Sequence, residues 1–264
     1  SVGDVPFMAT ATTRASAQLG HGGYAADGSH SGDIHSGQGG ALAFVAGDAT
    51  AAYAQLGHGG YASGGDLSGA IALDDVGNVL FSAGDATAAY AQLGHGGYTS
   101  RGDHSGQVSL ASRDAATVTA GSGLYAYAHV GHGGYDADGD HSGALSVTTV
   151  GNLTVSSGDV RDAYTQLGHG GRSSRGDMSG AITANVGGAL RFTAGSSHRT
   201  SAQLGHGGFD ADGAHSGGVE VCRGAGTGFS AGGDGEAWTQ VRHGGRGGGL
   251  CSGRSRSSGR GRRW

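Results

Sequence analysis

The stretch Leu19-Gly20-His21-Gly22-Gly23 decides the fold of this chain, because it returns at a fixed interval. A constant period between about 20 and 50 residues is typical of repeat proteins, in which each unit packs only on its neighbours. The histidine of the stretch recurs every 37 residues without insertion or deletion, at His21, His58, His95, His132, His169, His206 and His243. These anchor histidines give the register in which all other positions can be aligned.

Composition agrees with a repetitive β-fold. Glycine makes up 60 of the 264 residues. Because the glycines recur in register, they indicate corners between short strands and not a flexible low-complexity chain. No apolar stretch reaches 18 residues, so we expect no membrane span. Eight arginines and 19 acidic residues precede Cys222, and we expect no nucleic-acid partner for the repeat body.

Three short strands are predicted in each coil. The first precedes the anchor histidine, as in residues 52–56 (Ala-Tyr-Ala-Gln-Leu), where side chains alternate with period two. We expect its alanines and leucine to face the interior, and its tyrosine and glutamine to face solvent. The second strand begins near Ile71 and the third centres on Phe81. Glycine at this density would cost about 1 kcal/mol per position in a helix. The sequence therefore predicts an all-β, right-handed parallel β-solenoid (β-helix) with 37-residue coils and three short strands per coil.

The domain organisation follows from where the repeat begins and decays. Residues 1–221 are expected to hold a partial first coil and six coils anchored at positions 21, 58, 95, 132, 169 and 206. Residues 222–264 are expected to form a degenerate last coil and a basic tail rich in Gly, Arg and Ser. Two interpretations of that tail stay open: a genuine extension, or a cloning or frame-shift artefact. An uncapped end coil exposes unpaired backbone groups, so we expect head-to-tail self-association.

The histidines allow three interpretations. Equivalent residues of a parallel solenoid lie about 4.8 Å apart, so the anchors form a column. A zinc or catalytic site is a singular cluster, whereas this repeat offers the same histidines in every coil. We therefore favour a structural ladder over metal binding or catalysis. Repulsion between neighbouring imidazolium groups predicts lowered pKa values in the column. The expected ladder consists of His21, His58, His95, His132, His169 and His206.

Two further patterns involve acidic residues. Asp136, Asp138 and Asp140 alternate along a glycine-bearing loop and are candidate calcium ligands. Arg101, Asp138, Arg175 and Asp212 occupy one repeat position with alternating sign. Since opposite charges on adjacent strands stabilise pairing, we interpret this position as a charge ladder. The same pairing explains the Arg-Gly-Asp triplets that begin at Arg101 and Arg175.

Departures from the repeat cluster in coils four to six, on the predicted outer face of the first strand. The candidate ligand-binding patch, suited to carbohydrate or self-association, consists of Tyr125, Tyr127, His129, Asp162, Tyr164, Arg199 and Trp238. An enzymatic alternative uses the same face for a hydrolase or polysaccharide lyase. Its candidate catalytic residues are His129, Asp162, Tyr127 and Arg199. A solvated face stabilised by side-chain pairs is the third interpretation.

The stretch Ala-Gln-Leu-Gly-His-Gly-Gly-Tyr at residues 54–61, followed by Ser-Gly, resembles the repeat regions of bacterial filamentous-haemagglutinin-like exoproteins and autotransporter adhesins. The resemblance covers about Val5 to Val221, although many repeats of that family are shorter than 37 residues. It implies a parent protein that is secreted or attached to the cell surface, with these coils as a stalk or contact surface. We therefore expect a non-enzymatic structural or adhesive segment without a cofactor, calcium being the one candidate.

Overall fold

The computed structural model describes residues 3–37, 39–232 and 237–241 of the chain. Within these ranges it contains strands and turns, and no helix. The strands form parallel sheets that stack into a right-handed β-solenoid of about six coils, with about 37 residues per turn. The fold prediction is therefore confirmed. None of the helices that a membrane crossing would need occurs in the described part of the chain.

Each coil contributes one strand to each of four sheets, which we name A to D in the order in which a coil meets them. Strands are numbered in chain order. Sheet A contains β2 (Ser16–Leu19), β6 (Tyr53–Leu56), β10 (Tyr90–Leu93), β14 (Tyr127–Val130), β18 (Tyr164–Leu167), β22 (Ser201–Leu204) and β26 (Trp238–Val241). Sheet B contains the two-residue strands β3 (His30–Ser31), β7 (Leu67–Ser68), β11 (His104–Ser105), β15 (His141–Ser142), β19 (Met178–Ser179) and β23 (His215–Ser216).

Sheets C and D complete the coil. Sheet C contains β4 (Ile34–Gly37), β8 (Ile71–Val76), β12 (Val108–Ser112), β16 (Leu145–Thr149), β20 (Ile182–Val186) and β24 (Val219–Arg223). Sheet D contains β1 (Val5–Met8), β5 (Leu42–Val45), β9 (Val79–Ser82), β13 (Ala116–Thr119), β17 (Leu153–Ser156), β21 (Leu190–Thr193) and β25 (Thr227–Ser230). Sheets A, C and D correspond to the three predicted strands, and sheet B is an addition too short to show a sequence pattern.

Register is kept along the whole stack, so that residue i pairs with residue i + 37. The one irregularity of the described strands is a bulge in β8 near Asp75. Two residues separate Leu73 from Val76 in β8, whereas one residue separates their partners Leu110 and Ser112 in β12. Strands β24, β25 and β26 continue the sheets beyond residue 221 as far as Val241. The predicted basic tail lies outside the described residues.

The main core fills the space between sheets A, C and D. It is a continuous column of buried aliphatic and phenylalanine side chains, such as Leu56, Leu73 and Phe81, each with 0 % exposure. Phe44 and Phe81 stack with ring centroids 5.1 Å apart. Alternate residues of sheet A, Ala54 and Leu56, belong to this core, as predicted.

The other side of sheet A is covered, and here the sequence-based expectation is wrong. Tyr53 and Gln55 were expected to face solvent, yet both are fully buried. The ten residues between sheets A and B fold back over them, and we call this segment the cover loop (residues 57–66 in the second coil). Tyr61 of the cover loop packs on the tyrosine column of sheet A. The sequence pattern predicts a corner for this glycine-rich segment. It instead encloses a second buried compartment, between sheet A and the cover loop.

Glycine is required where successive cover loops touch. Gly94 has φ +143°, and a Cβ at this position would lie 1.8 Å from the carbonyl oxygen of Gly131 in the next coil. L-residues avoid such φ values. The Gly-His-Gly-Gly stretch therefore repeats because the loop backbones stack in direct contact.

Candidate functional site

The anchor histidines form the predicted ladder inside the second compartment. Their rings stack, with centroids 4.8 Å apart for His58 and His95 and 4.9 Å apart for His132 and His169. His95 Nδ1 accepts the backbone N–H of His58 at 3.0 Å, so Nδ1 carries no proton. Nε2 therefore carries the proton, which it donates to the Gly69 carbonyl oxygen at 2.9 Å. Both ring nitrogens are used within the protein, in the neutral form of the ring.

Burial is the main reason why these imidazoles stay neutral. It lowers the pKa of His95 to about 4, and the hydrogen bond to Gly69 and the field of His58 modify this effect. Burial also lowers the pKa values of His132 and His169 well below the ordinary value, with neighbouring histidines adding to the shift. The predicted direction is confirmed. The larger cause is desolvation, and the repulsion on which the prediction was based comes second.

Neither predicted metal feature converges on a common point. The ladder nitrogens are occupied by protein groups. Asp138 lies between Arg101 and Arg175, with both N···O distances 3.2 Å, which confirms the charge ladder for these three residues. The ion pairs of the described residues do not extend it to Asp212. Asp140 Oδ1 accepts the backbone N–H of Asp177 at 2.8 Å. Across residues 3–37, 39–232 and 237–241 no group of three or more His, Cys, Asp or Glu side chains could hold a metal ion.

We expect metal chelation to leave the stability unchanged. Asp138, Asp140 and the ladder imidazoles already bind protein groups, so a metal ion would have to displace them. Thermal unfolding in EDTA, followed by added calcium or zinc, checks this expectation. A melting temperature that falls in EDTA and recovers with one metal would contradict it, because a ligand of the folded state raises the melting temperature.

A second pair of histidines is buried without partners. His104 and His141 stack at 4.7 Å in sheet B, and both have 0 % exposure. Neither ring nitrogen of either residue has a hydrogen-bond partner. Their neighbours in the same column are Leu67 and Met178, which are also fully buried. The position therefore favours an apolar side chain. A histidine here lowers the stability of the fold, because its buried ring nitrogens have no hydrogen-bond partner.

The double variant His104→Leu/His141→Met should be more stable than the wild type. It removes four unsatisfied buried nitrogens, each of which costs about 1–3 kcal/mol, and it copies the residues of adjacent coils. Denaturant unfolding should show a gain of at least about 2 kcal/mol. The reverse change, Leu67→His, should destabilise. A loss of stability in the double variant would show that the two imidazoles bind something that their contacts do not reveal.

The predicted ligand-binding patch is divided between the interior and the surface. Tyr127, His129 and Tyr164 lie under the cover loops with 0 %, 0 % and 4 % exposure. The prediction that they face solvent is wrong, because the cover loop was not foreseen. Trp238 is partly exposed at β26. Of the four candidate catalytic residues, Tyr127, His129 and Asp162 have 0 % exposure, so no substrate can reach them in this structure.

His129 interrupts a hydrogen-bonded column. In other coils the glutamine amide at this position donates to loop carbonyls, as Gln55 does to Gly94 and Gly96. Its oxygen accepts from the tyrosine of the next coil, as in Tyr90–Gln55 at 3.4 Å. His129 reaches only the Gly168 carbonyl. The hydroxyl of Tyr164, one coil further on, has no acceptor in hydrogen-bonding geometry.

Replacing His129 by glutamine should restore the column. We expect His129→Gln to raise the free energy of unfolding by about 1 kcal/mol or more, because it supplies the acceptor that Tyr164 lacks. Gln92→His is the matched reverse change. It should lower stability, because it removes the Gln92 oxygen that accepts the hydrogen bond of the Tyr127 hydroxyl. Equal stabilities for all three proteins in urea would contradict this account of the column.

The surface part of the predicted patch belongs to a row of facing pairs that we call the pair strip. Each coil contributes one residue from the turn before sheet A and one from the cover loop ten residues later. The pairs, from the first coil to the sixth, are Arg14–Tyr24, Ala51–Tyr61, Ala88–Tyr98, Tyr125–Tyr135, Asp162–Arg172 and Arg199–Phe209. Residue identities in the strip change along the stack, from arginine–tyrosine in the first coil to aspartate–arginine in the fifth. Aligning positions 14 and 24 across the repeats would have revealed it.

The contacts show that the pairs are real. The Arg14 guanidinium lies 4.7 Å from the Tyr24 ring centroid, and that of Arg199 lies 4.9 Å from Phe209. Tyr125 meets Tyr135 at 5.0 Å with a 44° tilt. These distances are typical of cation–π and tilted aromatic contacts. The first, fourth and sixth coils thus close the strip with a cation–π or an aromatic contact, whereas the second and third coils both place an alanine opposite a tyrosine.

The fifth coil replaces an apolar contact by an ion pair. Asp162 is fully buried, and its Oδ1 lies 3.0 Å from Arg172 Nη1. Its Oδ2 accepts from Arg161 Nε at 3.1 Å. Arg172 is 8 % exposed, and its guanidinium lies 4.7 Å from the ring of Phe209 in the next coil. The charge of Asp162 is thereby neutralised inside the stack, away from solvent.

A left-handed backbone occurs at two positions of every coil: the first residue of each pair, as at Ala51, and the residue after the second, as at Ala62. The first residue of every pair has a left-handed backbone, with φ between 58° and 66°. Tyr125, Asp162 and Arg199 adopt φ values of 60°, 66° and 60°. Glycine would take this conformation without strain, and the chain uses glycine freely elsewhere. Strained residues that keep a side chain are concentrated at functional sites, so the strip is the best candidate for a contact surface.

The tyrosine rings of the strip present their edges to solvent. Tyr24, Tyr61, Tyr98 and Tyr135 stack on one another with centroids 4.5–5.1 Å apart and planes within 11°. Their faces are used in this stack, so the flat stacking on sugar rings expected from the sequence has no open ring face here. The column offers one phenolic hydroxyl per coil in the first four coils, and Arg172 and Phe209 take the position in the fifth and sixth.

Comparison of the chain with protein-family models, with curated proteins and with solved structures found no match. The resemblance to adhesin repeat regions therefore remains a prediction.

Proposed function

We propose that this chain is a non-enzymatic structural or adhesive repeat segment of a secreted or surface-attached bacterial protein. The observation that supports the proposal is the equivalence of the coils: strands of successive coils pair in parallel in all four sheets, while the residues of the pair strip change along the stack. Such an architecture supports a rigid rod of about 4.8 Å per coil that displays one row of side chains. An enzyme on the outer face of sheet A is not supported, since that face is covered.

The contact surface of the proposed segment is the pair strip, and the partner classes are a carbohydrate and a second copy of the chain. The strip offers a row of phenolic hydroxyls, the tilted ring of Tyr125, and Arg199 beside Phe209. Hydroxyl and guanidinium groups suit hydrogen bonding to the polar rim of a glycan. The opposite wall, sheet D, offers hydroxyls such as Thr117 and Thr154 and serves as an internal control surface.

A glycan array and sedimentation at increasing protein concentration test the proposal. Binding to a glycan or to a second copy should be retained by Thr117→Ala/Thr154→Ala and lost in Tyr125→Ala/Arg199→Ala. Equal binding by both variants would contradict the assignment to the strip. Absence of any binding would reduce the function to that of a spacer. Release of new reducing ends from a polysaccharide would contradict a non-enzymatic segment.

A further inference from the structure

Histidines and apolar core occupy separate compartments of the coil. Among the described residues, no buried titratable side chain lies in a strand of sheet C or sheet D. The fully buried His95, His132 and His169 lie on the other side of sheet A, in the cover loops. Protonation therefore acts on the cover loops and leaves the main core without any group to charge.

Five of the anchor histidines hold a cover loop closed at a defined point. In each of them Nε2–H bonds the carbonyl oxygen of a glycine just beyond the cover loop of the preceding coil, at 2.8–2.9 Å. The start of one loop is thus tied to the end of the loop below it. The five contacts are His58–Gly32, His95–Gly69, His132–Gly106, His169–Gly143 and His206–Gly180.

A second proton on the ring cannot be accommodated in this arrangement. Nδ1 of His132 accepts the backbone N–H of His95 at 3.1 Å, and that of His169 accepts the N–H of His132 at 3.0 Å. A proton on Nδ1 would place two N–H groups against each other. One inter-coil hydrogen bond would then be lost at every protonated rung.

The surroundings of the ladder offer little compensation for the added charge. The charged and titratable groups that influence His132 are His169, His95 and His104, all of which would repel a proton. For His169 they are His206, His129 and His141. Asp140 and Asp138 favour a proton only on His141, in sheet B, and burial outweighs them.

We propose that the cover loops form an acid-operated lid: protonation of the anchor histidines releases the loops and exposes the tyrosine and glutamine face of sheet A, while sheets C and D keep the main core intact. The tyrosine column, represented by Tyr53, Tyr90 and Tyr127, is the surface that opening would uncover. This lid is independent of whether the pair strip binds a glycan.

The direction of the effect follows from the pKa values. A histidine with a pKa of about 4 in the closed loop and about 6.5 in the open loop favours opening as the pH falls below 6.5. For one such residue the ratio of open to closed loop rises about 20-fold between pH 7 and pH 5. The closed loop keeps its full advantage above about pH 7.

Hydrogen exchange at pH 7 and pH 5, corrected for the intrinsic exchange rates, tests the lid. We expect the loop amides, such as those of Gly96 and Gly133, to lose at least 20-fold protection at pH 5, while amides of sheet D keep theirs. Loss of protection in loops and sheet D together would overturn the proposal, because it would show global unfolding. Unchanged loop protection would overturn it as well.

A ladder that cannot titrate provides the matched control. In His95→Gln/His132→Gln/His169→Gln the amide oxygen can accept the backbone N–H and the amide nitrogen can donate to the glycine carbonyl. This variant should lose the pH dependence of loop exchange. Should it fail to fold, ¹⁵N imidazole NMR of the wild type decides: ladder rings that stay singly protonated at pH 5 while the loops open would overturn the proposal, and doubly protonated rings in open loops would support it.

Discussion

Deleting residues 57–93, a complete 37-residue coil, should leave a folded protein with a melting temperature only a few degrees lower. The join places Gly94 after Leu56, as Gly57 was before, so that sheets A to D of the first and third coils meet in register. Stability of a solenoid is roughly a sum over coils and their interfaces, and the deletion removes one of each. Small-angle scattering should show a rod shorter by about 4.8 Å.

A smaller deletion should do far more damage. Removing residues 57–75 takes out 19 residues, including one cover loop and most of β8. The coils on either side would then lose their partners in sheets B and C, and each unpaired buried backbone group costs about 1–3 kcal/mol. Several such groups exceed the 5–15 kcal/mol that holds a typical domain together. Circular dichroism that shows equal stability for the two deletions would contradict the stacked-coil account.

The second large effect concerns the buried ion pair of the fifth coil. Asp162→Ala should lower the free energy of unfolding by about 3–5 kcal/mol, because it leaves Arg172 charged in a site that excludes water. Adding Arg172→Tyr recreates the Ala88–Tyr98 pair of the third coil. We expect the double variant to regain wild-type stability or exceed it by about 1–4 kcal/mol, as found when buried ion pairs are replaced by packed apolar groups.

The exposed charge ladder supplies the control for this experiment. Arg101 and Asp138 also lie 3.2 Å apart, but the Arg101 side chain is 73 % exposed. Arg101→Ala should therefore cost no more than about 1 kcal/mol. Denaturant unfolding of all variants under the same conditions gives the comparison. A small effect of Asp162→Ala, similar to that of Arg101→Ala, would show that the fifth coil admits water to the pair.

The long-range order of this fold was readable from the sequence because the repeat is regular. Residues one period apart must lie on adjacent strands, and that rule alone predicted the stacked histidines, the phenylalanine column and the Arg101–Asp138–Arg175 ladder. It required no knowledge of how a single coil folds. The 37-residue period alone determines which residues stack in a column, and this period can be read directly from the sequence.

What lies within one coil was harder to predict. The alternation around Tyr53 and Gln55 was interpreted as one buried and one solvated face, which suits an antiparallel strand. Strands of parallel sheets are commonly buried on both faces, and the aromatic Tyr61 eight residues later was a sign of a covering segment. Asp162 was among the predicted site residues, but its partner Arg172 was missed for the same reason. The two pair across the cover loop, at a sequence separation that neither the period nor strand alternation encodes.

Distances between spin labels one or more periods apart test the central claim that each 37 residues make one coil. Ala11, Ser122 and Ser196 occupy one exposed column, three and five coils apart, and labels can be attached as cysteines after Cys222 and Cys251 are replaced by serine. The Ala11–Ser122 and Ala11–Ser196 backbone separations should be about 14 Å and about 24 Å, a rise of about 4.8 Å per coil. Separations that do not grow in proportion to the number of periods would contradict the solenoid.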